Sequence, residues 1–226
     1  MEKLLDKTQL SFYINKHNLC EIFDEAVLTH AELHQFEKGE QILKVDSLLK
    51  YYYFFVKGKI KVFSPQENGK SLLLRFYTTF DTLGDLELFR NSSVRSNVEA
   101  VEDTLLIALP TEILHKLCND NPIFLRFIIN SLSIKLESIS YNSAYNLLYP
   151  LINRLCSYLV EHVTDEDYIY LTSSYEDISD FLGTTYRHLH RTLNQLQEKK
   201  IIACEGKKLY ILDRAELKRL SKNLYR

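Results

Sequence analysis

The stretch "DISDFLGTTYRHLHRTLNQLQEKK", residues 177–200, is where this sequence commits itself to a fold. Ile178, Phe181 and Leu182 make one apolar stripe of a short helix, and Ser174 with Asp177 three residues later has the form of a capping box at its start. Gly183 permits a sharp turn, after which Thr184 or Thr185 can cap a second helix. On that second helix Leu189, Leu193 and Leu196 recur at i, i+4 and i+7, the spacing of a buried face. Arg187, Arg191, Asn194 and Glu198 then fall on the opposite face, with His190 beside them. Downstream, "IIACEGKKLYIL" reads as two short strands around Glu205–Gly206–Lys207. Helix, glycine turn, helix and basic hairpin make a winged helix-turn-helix, with arginine and histidine at the spacing needed to enter a major groove.

Charge supports that reading once it is divided along the chain. The net charge is −2, yet residues 183–226 hold 11 Lys or Arg against 4 Asp or Glu. The other 182 residues hold 17 against 26. An acidic body with a basic C-terminal end suits a polyanion-binding terminal domain. Arginine can bond guanine bidentately, while Lys207 and Lys208 on the hairpin suit phosphates.

Upstream the texture differs. From Leu33 to Leu109, runs such as "YYYFFV", "KIKVF", "SLLLRFY" and "TLLIAL" are separated by Gly39, Gly58, Gly69 and Gly84, four of the chain's six glycines. That pattern predicts an antiparallel all-β unit with tight turns. Residues 1 to about 30 read as short helices marked by Leu10, Ile14, Ile22 and Phe23. Pro122 suits the first turn of a long helix on which Leu125, Ile129, Leu132, Leu136 and Ile139 are spaced by 4, 3, 4 and 3. Such a seam either packs within the chain or pairs with its copy in a dimer, and the dimer is the expectation adopted. Pro150 starts a further helix with Leu151, Leu155 and Leu159 on one face.

The composition is that of a folded protein: 46% hydrophobic and 26% charged residues, with no apolar run near the length of a membrane span. "MEKLLDKTQL" lacks the apolar core of a secretory signal, so a cytoplasmic location without a membrane partner is expected. Cys20, Cys118, Cys156 and Cys204 are scattered without a C-x-x-C pair, which argues against a disulfide framework or zinc knuckle. In "HAELH", His30, Glu32 and His34 would share one face of a strand, or His30 and His34 would be an i, i+4 pair on a helix, though surface histidines without a metal are the expectation. No phosphate loop and no G-x-S-x-G is present, so an enzyme finds little support.

The order of these parts resembles the Crp/Fnr superfamily of transcription regulators over nearly the whole chain. The most specific part is "LGDLELFRNSSVRSNVEA", which is similar to the phosphate-binding cassette of cyclic-nucleotide-binding domains. Gly84, Asp85, Leu86 and the pair Arg95–Ser96 fall at the family spacing. "FLGTTYRHLHRTL" resembles the family's recognition motif, and "PLINRL" and "YRHL" are most similar to its YeiL-like branch. The resemblance implies an α+β fold, with a cyclic-nucleotide-binding-like jelly roll over residues 1–120. It further implies a dimerisation helix over 121–147 and a winged helix-turn-helix over 148–226. It implies a homodimer on double-stranded DNA of two-fold symmetry and contact with RNA polymerase. The DNA-binding candidates are Thr185, Tyr186, Arg187, His188, His190, Arg191, Lys207 and Lys208.

In cyclic AMP-binding members the acid at the Asp85 position bonds the ribose and the arginine at the Arg95 position neutralises the phosphate. Three departures point away from cyclic AMP: Asp85 is one methylene shorter than the usual glutamate, Glu87 replaces a glycine, and Ile139, followed by Ser140, replaces a hydroxyl residue. Either Arg95 pairs with Asp85 or Glu87 in a pocket that binds no nucleotide, or the ligand differs; the effector and any cofactor are left open. Iron–sulfur members need a group of N-terminal cysteines, and only Cys20 is there. The competing reading is a small-molecule-binding module whose helix-turn-helix serves protein interaction.

Overall fold

The computed structural model describes residues 1–65, 71–90, 92–163, 167–171, 174–206 and 208–222. The fold is α+β, and the chain divides into two compact units, Met1–Leu136 and Glu137–Arg226. The division falls inside the long helix that begins at Pro122.

The first unit opens with a strand, β1 (Glu2–Leu4), where the sequence suggests only helix. Its pairing with β2 (Glu32–Phe36) explains the difference, because a three-residue strand carries no periodicity of its own and forms only on a partner edge. Helices α1 (Lys7–Lys16) and α2 (Glu25–Leu28) follow, capped by Asp6 and Asp24. Next come β3 (Gln41–Leu43), β4 (Tyr51–Lys57), β5 (Ile60–Pro65), β6 (Ser71–Tyr77) and β7 (Asp81–Leu83). Helix α3 (Asp85–Arg90), β8 (Asn97–Ala100), β9 (Thr104–Pro110) and α4 (Thr111–Leu117) complete the roll.

Two antiparallel sheets result, in the orders β1-β2-β9-β4-β7 and β3-β8-β5-β6. The strands β4 and β9 read as continuous apolar runs because both their faces are buried. Tyr53 and Phe55, with Leu106 and Ala108, point into the layer shared with Ile60, Val98 and Ala100 of the second sheet. Tyr52 and Phe54, with Leu105, Ile107 and Leu109, point the other way, onto Leu19, Phe23, Leu114 and Phe124. The period of two thus feeds two cores from one strand. Gly58 turns β4 into β5 at φ +108, and a Cβ there would lie 2.5 Å from Thr104 Oγ1 and 2.7 Å from the Asp103 carbonyl.

Helix α5 (Pro122–Leu148) starts where its proline predicts. The Asn121 side chain caps it, accepting from the Ile123 and Phe124 amides at 2.9 and 3.3 Å. Phe124 and Ile128 bury one face of its first turns against the roll.

In the second unit α6 (Leu151–His162) buries Leu151, Leu155 and Leu159 as their spacing requires. A three-stranded sheet in the order β10-β12-β11 joins β10 (Tyr168–Tyr170), β11 (Ile202–Glu205) and β12 (Lys208–Ile211). Helices α7 (Tyr175–Phe181), α8 (Tyr186–Glu198) and α9 (Arg214–Ser221) pack around one core with Ile178, Leu182, Leu189, Leu193, Leu196 and Leu217. The Asn153 amide donates to the Leu220 carbonyl at 2.8 Å and ties α6 to α9.

Candidate nucleic-acid interface and ligand pocket

The second unit holds the candidate interface on α8. Ser174 accepts from the Asp177 amide while the Asp177 carboxylate takes the Ser174 amide, so the capping box that opens α7 is complete. Gly183 sits at φ +60 in the turn, and the Thr184 amide returns to the Ser179 carbonyl at 2.9 Å. Thr185, not Thr184, caps α8, accepting from the His188 amide at 3.3 Å. Leu189, Leu193 and Leu196 are at most 3% exposed, which fixes the roll of the helix about its axis.

That roll turns Arg187 and Arg191 to solvent, and neither carries an ion pair among the described residues. His188 is exposed with Nδ1 at 3.3 Å from Thr184 Oγ1, and Tyr186 is 46% exposed. His190 is placed differently from its neighbours. Its ring packs between Tyr186 at 4.4 Å and Tyr175 at 4.8 Å, and its Nε2 is buried without a hydrogen-bond partner among the described residues. Lys208 is exposed with Nζ 5.0 Å from the Tyr168 ring, while Lys207 lies outside the described residues.

One positioning residue escaped the sequence reading. Arg154 of α6, 8% exposed, donates to the Tyr149 carbonyl at 3.1 Å and to the Leu182 carbonyl at the end of α7. A guanidinium supplies donors that satisfy the last carbonyls of a helix, and here they pin the turn into α8. The signal available was one arginine inside the apolar pattern of "PLINRLCSYLV".

The first unit holds the candidate pocket at the corner between β7 and α3. Gly84 turns that corner at φ +99, where a Cβ would press against Leu49 at 2.8 Å. Asp85 is 5% exposed and accepts from the Tyr52 hydroxyl at 2.6 Å and the Thr82 hydroxyl at 2.9 Å. Its third partner is the Lys135 ammonium, from α5. Burial and the adjacent Asp85 carboxylate push the Tyr52 hydroxyl well above the usual tyrosine pKa. Burial alone would lower the Lys135 pKa, but Asp85, Tyr77 and Asp81 outweigh it and the net direction is upward.

Arg95 therefore meets neither acid through its guanidinium among the described contacts; instead its backbone N–H donates to Glu87 Oε1 at 3.1 Å. Arg95 is exposed, Ser96 is half-buried, Leu86 is 51% exposed and Ser140 is exposed. The structure thus gathers Gly84, Asp85 and Leu86 at one corner and fills the acid from within. Along α5, Leu125 and Leu132 are half-buried, with Leu132 packed on the roll's core. Ile129, Leu136 and Ile139 are 64%, 70% and 52% exposed. No group of three or more His, Cys, Asp or Glu arranged for a metal occurs among the described residues. His34 bonds Glu32 at 2.8 Å, and His30 is exposed. No helix of the described residues is long and apolar enough to cross a membrane.

A glycine-turned β-roll followed by a helix-turn-helix and wing defines a two-part regulator, and the comparisons agree. Residues 33–121 match the cyclic nucleotide-binding domain and residues 153–220 the Crp-like helix-turn-helix domain. The chain belongs to the Crp/Fnr superfamily of transcription regulators. Regulatory protein YeiL of Escherichia coli O157:H7 is 24% identical over 195 residues, 86% of this chain and 88% of that protein. Electron transport regulator A of Shewanella oneidensis is 27% identical over 194 residues, 83% of this chain and 77% of that protein. In fold, the chain is similar to FixK2 from Bradyrhizobium japonicum, with a TM-score of 0.70 and 23% identity over 84% of this chain and 96% of that one.

Proposed function

We propose that this regulator is a cytoplasmic homodimer that binds a two-fold symmetric DNA operator through α8 and responds to no cyclic AMP. The observation that carries the reading is Arg187 and Arg191, exposed and without an ion pair among the described residues, on the helix face opposite a fully buried leucine stripe. Two such helices set about one turn of DNA apart fit successive major grooves. Thr185, Tyr186 and His188 supply nearby contacts, His190 supports Tyr186 from behind, and Lys207 and Lys208 on the wing meet phosphates. Ile129, Leu136 and Ile139, with Leu125 and Leu132 at their flank, form the surface on which a second copy packs. RNA polymerase is the expected partner on DNA. Glu87 and Lys135 speak against cyclic AMP, since they already engage the Arg95 amide and the Asp85 carboxylate.

The test is selection of preferred sites from random DNA, followed by binding to the selected and a scrambled site at several salt concentrations. A symmetric site bound with a steep salt slope supports the reading. Equal, weak affinity for both DNAs would favour a ligand-binding module whose helix-turn-helix meets protein.

A further inference from the structure

The buried cluster under α5 has a stoichiometry of its own. The Lys135 side chain is 15% exposed and ends among four oxygens. These are the Thr82 carbonyl at 2.7 Å, Thr82 Oγ1 at 3.0 Å, Asp81 Oδ1 at 3.2 Å and Asp85 Oδ2. An ammonium has three N–H donors, so this cage leaves none unmet. The Tyr77 ring lies 5.8 Å from the same nitrogen. One turn earlier, Ser131 Oγ lies 3.0 Å from Thr82 Oγ1, so two side chains of α5 fasten to one corner of the roll. Lys135 stands beside Leu136 and one turn below the half-buried Leu132, both in the stripe proposed to meet a second copy.

We propose that Lys135 is the resident occupant of this site. Its ammonium fills the place of an effector and fixes the rotation of α5 on the roll, so that operator binding needs no added ligand. The inference rests on the operator-binding reading above. Two charged partners and two neutral oxygens converge on one nitrogen, and the helix that carries it also carries the dimer stripe. Removing the side chain would leave a cavity lined by Asp81, Asp85 and Thr82, whose chemistry suits a primary alkylammonium ion.

The experiment is Lys135→Ala, with operator affinity measured in the presence and absence of ethylammonium. Tetramethylammonium, which has the charge but no N–H, is the control. Wild type should bind with one affinity whatever cyclic nucleotide or amine is added. The variant should lose about tenfold or more, within the usual range of site-to-site coupling. Ethylammonium should restore it and tetramethylammonium should not. The double variant Asp85→Asn with Lys135→Met removes the Lys135–Asp85 pair, leaves Asp81 in place and fills the cavity with an uncharged chain, and it should fold without responding to amines. Should Lys135→Ala fail to fold, ethylammonium added during refolding should rescue it. A folded Lys135→Ala that binds as wild type, or is indifferent to ethylammonium, overturns the inference. So does a wild type whose affinity rises tenfold with a cyclic nucleotide. If wild type binds no DNA, the operator reading falls by itself. The amine response is then read from the melting temperature of Lys135→Ala, where no rise specific to ethylammonium overturns the resident-occupant proposal.

Discussion

Arg191 and Lys208 separate two kinds of DNA contact. Arg191 lies opposite the leucine stripe, so Arg191→Ala should leave the melting temperature unchanged. If its guanidinium bonds a base edge, the loss should be about 1–3 kcal/mol, concentrated at one operator position. Lys208→Ala should weaken all DNAs alike and make the salt slope shallower by about one unit. Equal losses for Arg191→Ala on selected and scrambled DNA would mean that α8 does not read sequence. His34 makes a separate, structural prediction. It is 1% exposed, its Nε2 meets Glu32, and its Nδ1 is buried beside Tyr51 and Tyr53 without a hydrogen-bond partner among the described residues. Burial lowers its pKa, with the proximity of Lys3 and the N-terminus adding to this and Glu32 opposing it. The unfolded chain then takes up a proton that the folded chain refuses, so stability should fall as pH drops below about 6.5 towards the lowered folded value. Melting curves should show that slope in wild type and a flatter one in His34→Phe; equal slopes would remove His34 from the account.

At the scale of elements, α5 divides its apolar side chains between the roll and the surface. Phe124 and Ile128 face the roll, whereas Leu136 and Ile139 remain more than half exposed in the single chain. Replacing both with Glu should therefore spare the fold of the protomer and abolish association, since each buried aliphatic side chain contributes about 1.5–3 kcal/mol. Sedimentation should find folded monomers with weak operator binding; a compact dimer would dismiss the stripe. The turn from β4 to β5 yields a second test. Gly58→Ala adds a Cβ against the backbone at a left-handed φ, and should cost about 1–3 kcal/mol measured by chemical unfolding. Much of this level was legible in the sequence. The capping box, the Pro122 start and the leucine stripe of α8 are local signals, set by residues three or four apart. β1 and β10 were not, because each is three residues long and depends on pairing with a strand far along the chain. The same limit hid Lys135, whose partners Thr82 and Asp85 lie about fifty residues away, and it left His190 facing solvent in a helical projection that contains no Tyr175.

At the scale of the whole molecule, the uneven charge should show itself before any specific contact forms. An excess of Lys and Arg over residues 183–226 draws the chain's C-terminal part towards DNA, while the acidic remainder is repelled. Association rates should thus fall steeply with added salt, and dissociation rates from the selected operator much less. Stopped-flow measurements at two ionic strengths check this. The chain also contains 15 tyrosines and not one tryptophan. Tyr186, half-exposed on the face proposed to meet DNA and backed by the His190 ring, is therefore a natural place for a spectroscopic label. A Tyr186→Trp variant would hold the molecule's sole indole at the edge of α8. Its emission, free of any background of the same kind, would turn each encounter with a nucleic acid into a change in light.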